Sequence, residues 1–167
     1  YSTKYRVTIA FTFCVTQVLG QKSITINALP DEGSILAKNW KWHSGDNAAW
    51  ANPNFNDQNW TKFVPTENIR SLPQLLEAQI AWFRRPIKVA SVLANRPLYL
   101  NIRQIGASEI YLDGKLVHKL GVVSANPKLE ITRTHAEFIP ITFPDTNQHV
   151  LAARFSFTTA NFYYPGT

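Results

Sequence analysis

The stretch Glu109-Ile110-Tyr111-Leu112-Asp113-Gly114-Lys115-Leu116-Val117-His118-Lys119-Leu120 decides the fold class. Two apolar runs flank Asp113-Gly114. A two-residue type I′ turn needs positive φ at both central positions, and Asp-Gly supplies it, so the stretch predicts a β-hairpin closed at Asp113-Gly114. Moving outward, Pro97–Ile105 alternates strictly, with Leu98, Leu100 and Ile102 on one face. Ile80–Val89, Phe138–Phe143 and His149–Phe157 read as further strands, the last two joined by a turn at Pro144–Asn147. Strands spaced this regularly by short turns predict an all-β antiparallel sandwich and exclude βαβ units.

Toward the N-terminus, Ile24-Thr25-Ile26 reads as an edge strand. Residues 31–39 hold a turn with Gly33, and Trp40–Asp46 is an aromatic strand ending in a turn. Residues 47–59 are polar and loop-like. Asp57 is expected to close a turn by accepting backbone N–H groups, with Phe55 and Trp60 turned inward. Ser71–Ala78 is the one helical candidate, because Pro73 suits a first helical turn.

The chain has 167 residues, 45% apolar, 13% aromatic and only 17% charged, a balance suited to sheets. Residues 1–20 have the order of an export signal: a cationic start with Lys4 and Arg6, an apolar run Val7–Leu19 and small residues at its end. The competing reading of that run is a buried strand, since Val, Ile, Thr and Phe favour strands. The expected division is a signal peptide at 1–20, a lead-in at 21–37, a sandwich at 38–160, and a short linker at 161–167 leading to a further region. The expected location is periplasmic or extracellular, with a membrane tether in the full-length protein.

The net charge is +6, or +4 once Lys4 and Arg6 are set aside. The longest cationic run is Arg84-Arg85, too little for a nucleic-acid face. The single cysteine, Cys14, lies in the leader, so no disulfide framework and no thiolate site is expected. His43, His118, His135 and His149 do not pair at metal-ligand spacing, and neither metal nor cofactor is expected.

A hydrolase needs two carboxylates facing across a cleft, and the eleven acids are dispersed. No nucleophile elbow, phosphate loop or dinucleotide fingerprint occurs. The sequence predicts no catalytic residue. One constellation suits carbohydrate: Trp42, His43, Asp46 and Trp50 near one loop, with Trp82 and Arg84 close by, offering a ring to stack on a pyranose and polar groups for its hydroxyls. Against it stands packing. Trp40 and Trp42 share an inward face, Trp40, Trp60 and Trp82 fill the interior, and Trp50 is the exposed ring. Glu109 is either a ligand contact or the ion-pair partner of Arg103 or Arg154, with pairing favoured.

The motifs fall in a familiar order: Trp-x-Trp-x-x-Gly-Asp at 40–46, Phe-x-Asp-x-x-Trp at 55–60, Ile-Ala-Trp-Phe-Arg-Arg at 80–85, Pro-Leu-Tyr-Leu at 97–100, Gly-Ala-Ser-Glu-Ile-Tyr-Leu-Asp-Gly-Lys at 106–115 and His-Val-Leu-Ala-Ala-Arg-Phe-Ser at 149–156. This order resembles the galactose-binding-like jelly roll ahead of the catalytic barrel in family-two glycoside hydrolases. The 106–115 hairpin, His118–Gly121 and the 149–156 strand are also similar to extracytoplasmic sensor domains of Bacteroidetes-type membrane histidine kinases. The resemblance implies a non-catalytic sensor or ligand-binding domain with membrane and signalling parts downstream. Its alternative is an accessory sugar-binding domain with a catalytic domain downstream. Either implies a carbohydrate or other small ligand.

Overall fold

The computed structural model describes residues 6–10, 12–13, 24–67, 73–134 and 136–158. In chain order the elements are β1 (Arg6–Ala10), β2 (Thr12–Phe13), β3 (Ile24–Ile26), β4 (Ser34–Ile35), β5 (Trp40–Ser44), β6 (Thr61–Phe63), β7 (Thr66–Glu67), α1 (Pro73–Glu77), β8 (Ile80–Val89), β9 (Leu98–Arg103), β10 (Ala107–Leu112), β11 (Lys115–Leu120), β12 (Glu137–Ile141) and β13 (His149–Ser156). A single 3₁₀ turn, Ala48–Ala51, is capped by the Asn47 side chain accepting from the Ala49 N–H.

Two sheets form the layers of a β-sandwich. The larger runs β11-β10-β13-β8-β5-β6, with β3 also alongside β8, and the smaller runs β12-β9-β1-β4. The predicted hairpin forms: Asp113 and Gly114 have φ of 49° and 82°, and Leu112 faces Lys115. Further along, Ile110 faces His118 and Tyr111 faces Leu116, so Val117 is an extra residue and the edge strand bulges there.

The core lies between the sheets. Leu98, Leu100 and Ile102 of β9 and Ile139 and Ile141 of β12 line one side. Trp40, Trp42, Phe83, Ile87, Leu151 and Ala153 line the other. Each fully buried Leu or Ile contributes about 1.5–3 kcal/mol.

Pro73 opens α1, as expected, but the helix spans Pro73–Glu77, and positions 71 and 72 of the expected segment lie outside the described residues. β6 was not expected; Thr61-Lys62-Phe63 extends the sheet directly from the aromatic loop. Of the segment 1–20 expected to be a leader, residues 6–10 and 12–13 are in strands, while Cys14 and the rest lie outside the described residues. His135 also lies outside them.

Candidate functional site

Alternation along β8 sends Phe83, Arg85 and Ile87 into the sandwich and Trp82 and Arg84 to the outer face of the large sheet. The strand registers then assemble two rows across that face. In the first, His43 faces Trp82, Trp82 faces Arg154, Arg154 faces Glu109 and Glu109 faces Lys119. In the second, Lys41 faces Arg84, Arg84 faces Ala152, Ala152 faces Tyr111 and Tyr111 faces Leu116. Five strands thus contribute one residue each to each row.

The loop after β5 lays a carboxylate on each row. Asp46 receives Arg154 Nε and Nη2 at 2.7 and 2.6 Å, a bidentate pair, and Trp82 Nε1 at 3.3 Å. Asp57 receives Lys41 Nζ at 2.7 Å and Arg84 Nε at 2.9 Å. Arg84 also donates to the carbonyls of Trp50, Asn52 (3.0 Å) and Phe55 (3.4 Å), so one buried guanidinium gathers three loop carbonyls. Glu109 completes the first row, accepting from Arg154 Nη1 at 3.1 Å, Lys119 Nζ at 3.0 Å and the Tyr111 hydroxyl at 2.9 Å.

These contacts set the charge states. Hydrogen bonds from Arg154 hold the Asp46 carboxyl below its usual range, against partial burial. Burial opposes ionisation of Asp57, yet the hydrogen bonds from Lys41 and Arg84 outweigh it and the carboxyl again lies low. Glu109 follows the same balance, with Lys119, Tyr111 and Arg154 overcoming burial. Tyr111 is pushed up to about 12 by burial and by the Glu109 carboxylate. Each of the three carboxyls is thus paired with at least one cation and shifted toward its ionised form.

Aromatic rings fill the space beneath the loop. Trp50 meets His43, Phe55, Trp60 and Trp82 at centroid distances of 5.0, 6.4, 5.3 and 6.3 Å, and Trp82 stacks on Tyr111 at 5.3 Å. Arg84 lies over the Phe55 and Trp60 rings. Trp60 and Trp82 are buried here, in a second apolar cluster outside the inter-sheet core. This corrects their expected place in the sandwich interior: outward registers on β8 and the loop fold carry them to the opposite face.

Of the six candidate residues, His43, Asp46, Trp50, Arg84 and Glu109 share this face. Trp42 does not; its ring is buried between the sheets, as its shared parity with Trp40 implies. Arg84 is 1% exposed and fully engaged, which removes it as a ligand contact. Glu109 takes Arg154, the pairing favoured from sequence. Trp50, expected exposed, is half-buried among its ring neighbours, while His43, in edge contact with it, is exposed. Asp57 does not close its turn by side chain; the Trp60 N–H goes to its backbone carbonyl, and the carboxylate is spent on cations.

His149 is the first residue of β13. It is buried, with Nδ1 at 2.7 Å from Asp113 Oδ2 and Nε2 at 3.1 Å from the Asp145 carbonyl. Asp113 Oδ1 also accepts the Val150 N–H, so the hairpin turn is tied to the start of β13. Burial favours the neutral ring, but Asp113 and Asp145 raise His149 above its ordinary value. Among the described residues no group of three His, Cys, Asp or Glu side chains is placed to hold a metal ion.

No family model and no curated protein sequence matches the chain. Solved structures do share its architecture. A Bacteroides uniformis beta-glucuronidase aligns over 74% of this chain at TM-score 0.54 and 20% identity. Bacteroides uniformis beta-glucuronidase 2, covalently bound to cyclophellitol-6-carboxylate aziridine, aligns over 74% at TM-score 0.53 and 19% identity. A Faecalibacterium prausnitzii beta-glucuronidase aligns over 72% at TM-score 0.52 and 11% identity. What is shared is the fold. The chain spans 14% of the length of the two Bacteroides enzymes and 20% of the third.

Proposed function

We infer that this chain is a non-catalytic accessory β-sandwich module, the kind that serves a sugar-processing catalytic domain elsewhere in a longer polypeptide. The saturation of Asp46, Asp57 and Glu109 by Lys41, Arg84, Arg154 and Lys119 carries the non-catalytic part. The likeness to a small portion of three beta-glucuronidases supports the association with glycoside hydrolases. A carbohydrate ligand would meet the domain at the His43–Trp50 rim, where an aromatic edge remains open beside Asp46. Export through the 1–20 leader fits a module of this kind.

A second reading is favoured by one feature, the Gly-Ala-Ser-Glu-Ile-Tyr-Leu-Asp-Gly-Lys hairpin at 106–115, which resembles extracytoplasmic sensor domains of membrane histidine kinases. Under it, the same face passes ligand binding to membrane helices and a signalling output. The reading frame after residue 167 separates the two: a run of βα units supports the hydrolase, and an apolar helix of about twenty residues supports the sensor.

The enzymatic claim is tested with aryl β-glucuronides and β-galactosides. The purified chain is expected to release no aryl alcohol above a heat-denatured control. Turnover that persists through purification and disappears in Asp46→Asn or Glu109→Gln overturns the proposal.

A further inference from the structure

Pairing direction divides the molecule into two parts. The strand pairs made among residues 34–156 are antiparallel: β5 with β6 and β8, β8 with β13, β13 with β10, β10 with β11, and β9 with β12. The pairs that residues 6–26 enter are parallel: β1 with β9 and β4, β2 with β7, and β3 with β8. The N-terminal segment is therefore laid onto a body that is otherwise antiparallel.

β1 occupies a five-residue slot on β9, from Arg6 beside Tyr99 to Ala10 beside Arg103. On its far side, among the described residues, only the two-residue β4 closes the slot. β12, at the opposite border of this sheet, carries Pro140, a residue that blunts an edge. β9 has no such protection; it carries no proline and its Leu98, Leu100 and Ile102 are fully buried. On β9 itself, the Asn101 side-chain oxygen is buried without a hydrogen-bond partner, at the position that Thr8 faces in the register.

We propose that the β9 slot is a strand-acceptor site for an extended peptide that runs parallel to β9, is apolar at alternate positions, and carries a hydrogen-bond donor opposite Asn101. Residues 6–10 hold the place. The proposal rests on reading 1–20 as a removable leader, since removal takes β1 away and leaves the β9 edge bare. Main-chain bonds along the bare edge would supply affinity and the alternate side chains specificity.

The test uses the full chain with a protease site inserted after Gly20. The folded protein is cut in vitro and the 1–20 fragment washed away, so the slot is examined independently of whether a cell removes the leader. Hydrogen exchange is expected to show protection of those Leu98–Arg103 amides that point toward β1 falling about tenfold or more, with the alternate amides bonded to β12 and the Ile80–Val89 amides unchanged. A synthetic peptide of residues 6–13 should restore protection, its T8Q version should bind about three- to tenfold tighter by reaching Asn101, and a scrambled peptide should do neither. If the cut chain unfolds, the same peptides are added during refolding, and recovery by the 6–13 or T8Q peptide alone supports the site. Unchanged protection after removal, equal effect of the scrambled peptide, or no recovery with any peptide overturns it.

Discussion

Replacing Asp57 with alanine tests the outer face at its most loaded point. The carboxylate neutralises two side chains at once, Lys41 at 2.7 Å and Arg84 at 2.9 Å. Arg84 is almost wholly enclosed, at 1% side-chain exposure. Removing the acid leaves both cations on the sheet surface beneath the loop. Stripping one partner from a buried pair costs about 3–5 kcal/mol. Asp57 itself retains 18% exposure, and the three loop carbonyls still accept from Arg84, so the lower end, about 3 kcal/mol, is expected. For a chain of this size that is a fall in Tm of about 6–12 °C. Urea unfolding followed by tryptophan fluorescence is the assay, because Trp50 and Trp60 pack under the same loop. The sign with pH follows from the lowered carboxyl. A depressed pKa adds stability that is full above the unfolded value near 4 and is lost as pH falls through the folded value. The gap between parent and variant should therefore be widest at neutral pH and shrink in acid. A variant within about 0.5 kcal/mol of the parent at pH 7 would refute the reasoning.

Further outcomes follow from the same geometry. Trp82→Ala opens a cavity between the sheet and its aromatic loop and should cost about 3–5 kcal/mol, while Trp50→Ala, at a half-open site, should cost clearly less; equal losses by urea unfolding would contradict the burial order. His149 has its pKa raised by its carboxylate and carbonyl partners, so its contribution is full below the ordinary histidine value and is lost as pH rises through the folded value. A ¹H–¹⁵N titration should find it titrating above an unfolded reference, and a value at or below that reference counts against the latch to Asp113. Arg85 is buried with Nε and Nη1 lacking hydrogen-bond partners, its guanidinium lies over the Trp40 ring, and burial pushes it down to about 10. Arg85→Met should be neutral or stabilising by about 1–4 kcal/mol, and a clear loss on denaturation would show that the charge has a stabilising role.

The layers were legible because their signals are local. Alternation at Leu98, Leu100 and Ile102 and the positive-φ turn at Asp113-Gly114 need only neighbours in the chain to be read. The rows were legible only in part. Glu109–Arg154 could be guessed as a pairing, but Lys41–Asp57–Arg84 joins residues 16 and 27 positions apart through a loop whose path no local rule specifies. Trp60 and Trp82 were assigned to the wrong layer for a related reason: strand parity says which side chains share a face, not which face is inside. Here both faces of the large sheet are covered, one by the second sheet and one by the 45–60 loop, so burial on β8 is nearly continuous and parity carries little information. The contact of His149 with Asp113 joins residues 36 positions apart, beyond the reach of any local pattern.

The acids of the outer face are expected to behave as counter-ions and not as reactive groups. Carboxyl ¹³C NMR titration of the intact chain measures this directly, with Asp46→Asn, Asp57→Asn and Glu109→Gln giving the assignments. All three carboxyls are expected to titrate below their ordinary values: Asp46 through Arg154, Asp57 through Lys41 and Arg84 against its burial, and Glu109 through Lys119, Tyr111 and Arg154 against its burial. A carboxyl at Asp46 or Glu109 that keeps its proton to near-neutral pH would be a poised general acid and would contradict the account.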